Sequence, residues 1–71
     1  MNKLALTFVR GQIVRPGNTI ECIYNGKPRF GQVESIETDK SGLAVPNLRV
    51  KVDGGYRMFN CGRIERLYRC E

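Results

Sequence analysis

Turn signals recur at short intervals along this chain, and they leave room for strands but not for long helices. Asn25-Gly26 is the clearest of them, because this dipeptide readily adopts the positive φ angles of a type I′ hairpin turn. Asp53-Gly54-Gly55 marks a second hairpin, and we expect positive φ at Gly26 and Gly55. Further turns are predicted at 16–18, 39–47 and 62.

Between the turns, apolar and polar residues alternate with a period of two. Leu48 and Val50 alternate with Arg49 and Lys51, which is the pattern of a strand with one buried and one solvated face. Similar strand-like runs are predicted at 4–9, 20–24, 30–38 and 64–69, with a bulge or bend between Val33 and Ile36.

This pattern predicts an all-β fold. Short strands with turns about every 8–12 residues are typical of barrels and sandwiches. At this length we expect a small SH3-like (Sm-like) barrel of about five or six strands. The prediction allows at most a short helix at the N-terminus or a 3₁₀ turn at 60–63, and it places Phe59 and Leu67 in the core.

The chain of 71 residues is predicted to form a single domain spanning 1–71. Twelve Lys and Arg face seven Asp and Glu, which gives a net charge of +5 and favours an anionic partner. The alternative explanation of this charge is solubility alone. Because no apolar run approaches the roughly 20 residues of a membrane span, we expect no membrane association. A cytoplasmic location is predicted from the cysteines, whose number and spacing fit a reduced chain with packed thiols.

The residues that usually carry catalysis are poorly represented. The chain has no His, and its carboxylates are scattered without a recognisable pair. The cysteines Cys22, Cys61 and Cys70 include no CxxC motif, so no metal site is predicted, and a Cys61–Cys70 bridge would need oxidising surroundings. We therefore expect a protein that is not an enzyme and needs no cofactor.

Basic residues concentrate near the C-terminus, on segments that we expect to be neighbours in the sheet. Interleaved with tyrosines, they form a predicted surface that neutralises phosphates and stacks bases. The alternative is a solvated strand face whose aromatics cover the core. The predicted binding residues are Arg49, Lys51, Tyr56, Arg57, Arg63, Arg66 and Tyr68.

The closing segment resembles that of WYL domains, small SH3-like modules found mostly in bacterial transcription regulators. Arg57-Met58-Phe59 and Arg63-Ile64 are similar to the closing pattern of that family, and 20–27 is similar to its opening strand and hairpin. The Trp-Tyr-Leu motif is absent, and Leu48-Arg49-Val50 stands at its place. The resemblance implies that Arg57 and Arg63 belong to a surface that binds nucleotides or nucleic acid.

KOW and Tudor-type modules offer a second resemblance. Pro16-Gly17-Asn18 before a strand and Phe30-Gly31-Gln32-Val33 after a hairpin are typical of them, and they bind RNA, ribosomal or protein partners. The first functional hypothesis is therefore a binding module for nucleic acid or a nucleotide-like anion. The alternative is a protein-interaction module that recognises an acidic partner or forms a homodimer through an exposed 4–9 edge.

Overall fold

The computed structural model describes residues 2–70, and this part of the chain is all-β, as predicted. Met1 and Glu71, the ends of the predicted domain, lie outside the described residues. The strands are β1 (Asn2–Leu4), β2 (Thr7–Val9), β3 (Gln12–Val14), β4 (Thr19–Tyr24), β5 (Lys27–Thr38), β6 (Asn47–Val52), β7 (Gly55–Asn60) and β8 (Ile64–Cys70). A 3₁₀ turn, Cys61–Arg63, connects β7 to β8, close to the predicted 60–63.

Six of the strands form one antiparallel sheet in the order β7-β6-β5-β4-β8, with β1 paired to the far end of β5. Strand β5 holds this sheet together, because its first half pairs with β4 and its second half pairs with β6 and β1. The register shifts between Val33 and Ser35, which confirms the predicted bulge. The extra residue there bends β5 and lets one strand serve both halves of the sheet.

Strands β2 and β3 form a separate two-stranded sheet. Its Val9 and Val14 are buried in the common core, whereas Phe8 points to solvent and is 66% exposed. The Gln12 side-chain amide donates to the carbonyl of Leu67 at 2.7 Å and joins this hairpin to β8. The predicted single run at 4–9 is therefore divided between two strands, and the helix allowed at this end is absent from the described residues.

The prediction of a closed barrel needs correction. Within residues 2–70 the hydrogen-bonded path begins at β7 and ends at β8, so the sheet is open. The 3₁₀ turn carries the chain from one edge of the sheet to the other without pairing those edges. The β2–β3 hairpin adds apolar side chains to the core, so burial is completed by a second sheet and not by closure of the first.

The core confirms the alternation predicted from the sequence. Leu48 and Val50 are fully buried while Lys51 is exposed, and Phe59 and Leu67 are buried as expected. The Tyr24 ring packs on Phe59 with 4.8 Å between centroids. The buried apolar residues are Val9, Val14, Ile20, Cys22, Val33, Ile36, Leu48, Val50, Phe59, Cys61, Ile64 and Leu67.

Three glycines have backbone conformations or surroundings that a side chain would not readily tolerate. Asn25 and Gly26 have φ of 51° and 75°, the pair of positive angles that defines the predicted type I′ turn. Gly55 also has positive φ, at 156°. At Gly31 the limit is space, since a Cβ would lie 2.5 Å from the Lys51 carbonyl oxygen and from Val50 Cγ1.

Candidate nucleic-acid interface

The solvent side of the six-stranded sheet, here called the outer face, collects most of the predicted binding residues. Directly opposed residues on paired strands point to the same face. Tyr56 opposes Lys51, Lys51 opposes Gln32, and Gln32 opposes Thr19, so one row of side chains crosses four strands. Arg49 shares this face with Lys51 because it lies two residues away on β6.

A second row of the outer face places two exposed aromatics on either side of a carboxylate. Glu21 opposes Phe30 on β5 and Tyr68 on β8. Phe30 is 60% exposed and Tyr68 is 53% exposed, so both rings are open to solvent. Strands lie about 4.8 Å apart, which puts these two rings roughly 10 Å from each other across the sheet. Phe30 was not among the predicted binding residues.

The next row continues the mixture of apolar and basic groups. Arg66 on β8 opposes Ile23 on β4, which in turn opposes Pro28 on β5. The outer face therefore holds Arg49, Lys51, Tyr56, Arg66 and Tyr68 of the predicted set, and adds Phe30. A surface with this combination can stack bases on its rings and hold phosphates with its cations.

At the β6–β7 end of the outer face, three side chains are already engaged with one another. Arg49 Nε lies 3.4 Å from Glu34 Oε1, an ion-pair distance without the alignment of a good hydrogen bond. The Arg49 guanidinium also covers the Tyr56 ring, with 4.6 Å to its centroid. The hydrogen bond from Tyr56 to Glu34, together with the charge of that carboxylate, raises the pKa of Tyr56. Arg49 is therefore partly neutralised before any ligand arrives.

The strands that carry the predicted residues are not all neighbours, contrary to expectation. Strands β6 and β7 are adjacent, but β8 lies at the opposite edge of the sheet, with β5 and β4 between them. Tyr56 and Tyr68 consequently lie on edge strands of the same face. The predicted compact patch is instead a broad surface that crosses five strands.

Arg57 and Arg63 were predicted to join the binding surface, but neither lies on the outer face. Arg57 opposes Val50, so it belongs to the core side of the sheet, at an exposed rim. Arg63 is exposed on the 3₁₀ turn. The two arginines that the WYL resemblance selects are thus absent from the outer face.

A groove of about 740 Å³ adjoins the outer face, between β5 and the β6–β7 hairpin. Its cationic residues are Arg29, Lys51 and Arg57, and Asp53 is its carboxylate. Phe30 lines the groove as well, so the groove and the outer face share one aromatic residue.

The cysteines do not form a reactive centre in the described part of the chain. All three are free, with Cys22 and Cys61 buried and Cys70 exposed. Burial raises the pKa of Cys22, and it raises that of Cys61 to about 11, which keeps both thiols protonated at neutral pH. The Cys61–Cys70 bridge considered from the sequence is not formed.

Residues 2–70 include no cluster of three or more His, Cys, Asp or Glu side chains suited to a metal ion. The same residues form no helix with the length and apolarity needed to cross a membrane. Comparison of the chain with family models, with curated proteins and with solved structures finds no match.

Proposed function

We propose that this protein is a non-catalytic module that binds single-stranded nucleic acid on its outer face. The observation that carries the proposal is the row in which Phe30 and Tyr68 stand exposed on either side of Glu21. Some RNA-binding modules use exposed aromatic side chains on a sheet face to stack two or three unpaired bases. Stacking tolerates any base, so we expect weak sequence preference.

Lys51 and Arg66 supply the phosphate contacts in this proposal. Both lie on the outer face, one on each side of the row that contains the aromatic pair. Neither has an ion pair with a carboxylate within the described residues, whereas Arg49 has Glu34. We therefore assign Arg49 the role of holding the Tyr56 ring in place through the cation–π contact.

The finer fold assignment is part of the same proposal. An SH3-like or Sm-like arrangement is supported by the long bent β5, shared between two halves of the sheet, and by the 3₁₀ turn before the last strand. Membership of the WYL family and a cytoplasmic location stay predictions. A reducing compartment is compatible with the free thiols.

The salt dependence of oligonucleotide binding tests the proposal. Affinity for a labelled single-stranded oligonucleotide should fall steeply between about 50 and about 200 mM salt, since each neutralised phosphate releases counterions. Lys51→Gln and Arg66→Gln should each lower the salt slope by about one unit. Lys40→Gln, which removes the same charge from the exposed 39–46 loop, is the matched control and should leave the slope unchanged.

The result that would refute a nucleic-acid site on the outer face is an equal change of the salt slope in all three variants, since it would mean diffuse charge attraction. The alternative function, a protein-interaction module, is favoured by the exposed Phe8 on the β2–β3 hairpin. That interface would be mainly apolar, so its affinity should change little with salt. Strand β2 has only three residues, which makes a dimer through strand-edge pairing a weak form of this alternative.

A further inference from the structure

The groove beside β5 contains cations that no described carboxylate neutralises. Arg29, Lys51 and Arg57 line it, and none of them has an ion pair within residues 2–70. Asp53 lines the groove too, but no cation lies at ion-pair distance from it. Like charges gathered in a concave site focus the electrostatic potential and attract anions.

Arg29 is the most constrained of the three. It opposes Cys22 on β4, so its side chain leaves the strand on the core side and is half-buried. Its Nε is shielded from solvent and has no hydrogen-bond partner. An unsatisfied buried donor is rare in folded proteins and calls for an explanation such as an absent ligand or ion. Arg29 therefore differs from a basic residue kept on the surface for solubility.

Arg57 faces the same groove from the other side. It opposes Val50 and lies at the exposed rim of the core side of the sheet. Two guanidinium groups, each a planar fork of donors, match the oxygens of one phosphate group better than lysines do. The ligand chemistry indicated by the groove is thus a phosphate or a phosphate ester.

We infer that this groove is a phosphate-binding site, formed by Arg29 and Arg57 with Lys51 at its edge. The inference deepens the proposed function and rests on it for the origin of the phosphate. Phe30 lines the groove and stands on the outer face, so a nucleotide stacked on this ring can place a phosphate between the two arginines. The phosphate belongs either to the nucleic-acid backbone or to a free or terminal phosphate.

Inorganic pyrophosphate is the probe that tests the groove without nucleic acid. Titration of nitrogen-15-labelled protein, followed by amide shifts, should saturate and move the signals of Gly31, Gln32 and Asp53. Arg57→Gln should weaken this binding about tenfold or more. Arg63→Gln removes the same charge from the exposed 3₁₀ turn, outside both the groove and the outer face, and should change pyrophosphate affinity less than about twofold.

Arg29→Gln should weaken pyrophosphate binding as Arg57→Gln does. If the half-buried position 29 does not tolerate substitution, the Arg57 variant alone tests the site, because residue 57 is exposed. Titration that does not saturate overturns the inference, as does an equal loss of affinity in the Arg57 and Arg63 variants. Tyr68→Leu separates the two proposals, because Tyr68 lies on the outer face and does not line the groove. It should weaken oligonucleotide binding and leave pyrophosphate binding intact, so the outer face and the groove can fail independently.

Competition then distinguishes the two origins of the phosphate. If the site takes backbone phosphate, an oligonucleotide with a 5′-hydroxyl end should displace pyrophosphate. If it takes a terminal phosphate, only the 5′-phosphorylated oligonucleotide should displace it. Either pattern supports a phosphate site in the groove. If both forms of the oligonucleotide bind and neither displaces pyrophosphate, the groove has no role in nucleic-acid binding.

Discussion

The Arg49 guanidinium lies over the Tyr56 ring at 4.6 Å, while its Nε faces Glu34 at 3.4 Å. The three side chains come from three adjacent strands, so the contact joins β5, β6 and β7 on the outer face. An arginine in this position is not a free cation. It orders an aromatic ring at the edge of the proposed binding surface.

The first prediction concerns the pKa of Tyr56, which the Glu34 carboxylate raises by accepting its hydrogen bond. This bond favours the protonated phenol. Its contribution to the free energy of unfolding is therefore present at neutral pH and is lost as pH rises through the folded-state pKa of Tyr56. Glu34→Gln removes the carboxylate charge and should lower the pKa of Tyr56. Ultraviolet absorbance titration, with Tyr24 and Tyr68 replaced by Phe, measures it. An unchanged pKa would show that Glu34 and Tyr56 do not interact in solution.

The second prediction concerns the close approach of β5 and β6 at Gly31. A Cβ there would meet the Lys51 carbonyl oxygen and Val50 Cγ1 at 2.5 Å, and the backbone oxygen cannot move aside without shifting β6. Gly31→Ala should therefore lower the free energy of unfolding by about 1–3 kcal/mol, as overpacking does elsewhere. The control is Phe30→Ala on the solvent side of the same strand, expected within about 0.5 kcal/mol of the parent. Denaturant unfolding measures the free energy of unfolding of both variants. A Gly31→Ala variant as stable as the parent protein would disprove the close approach.

The third prediction concerns the turn at Asn25-Gly26. Gly26 has φ of 75°, and its N–H donates to Glu65 Oε1 at 2.8 Å. A β-branched side chain disfavours this backbone conformation, so Gly26→Val should destabilise the fold by about 1 kcal/mol or more. Thermal unfolding followed by circular dichroism measures the loss. A neutral substitution would mean that β4 and β5 are joined by a different turn.

The fourth prediction concerns thiol reactivity. Cys70 is exposed, whereas Cys22 and Cys61 are buried with a raised pKa. A disulfide reagent should therefore react quickly with one thiol in the folded protein and with all three after unfolding. Cys70→Ser should remove the fast reaction. Rapid modification that persists in this variant would show that the core opens more readily than the packing implies.

The sequence was sufficient for the local features of this fold. Alternation around Leu48 and Val50 correctly predicted that Arg49 and Lys51 share a face, and Asn25-Gly26 predicted both the turn and its φ angles. The pairing of β8 with β4 could not be predicted in the same way. It joins residues that are 40 or more positions apart in the chain, and no local pattern records which strands meet.

Two features of the site could have been predicted from the sequence: the face on which Arg57 lies and the position of Phe30 opposite Glu21. Phe59 was predicted in the core, and Arg57 lies two residues earlier on the same strand, so the two must share a face. The two-residue turn pairs Tyr24 with Lys27, and counting outward along the hairpin pairs Glu21 with Phe30. The orphaned Nε of Arg29 has no comparable signal, because it depends on packing between strands.

The most direct test of the proposed interface is the affinity of Phe30→Leu and Tyr68→Leu for a single-stranded oligonucleotide. Stacking is worth about 1–3 kcal/mol per base, so each variant should raise Kd by about 5- to 150-fold. Phe8→Leu is the matched control, because Phe8 is a similarly exposed aromatic on the separate β2–β3 sheet. It should leave Kd unchanged. If Phe8→Leu weakens binding as much as the other two, or if none of the three does, the outer face is not a nucleic-acid interface.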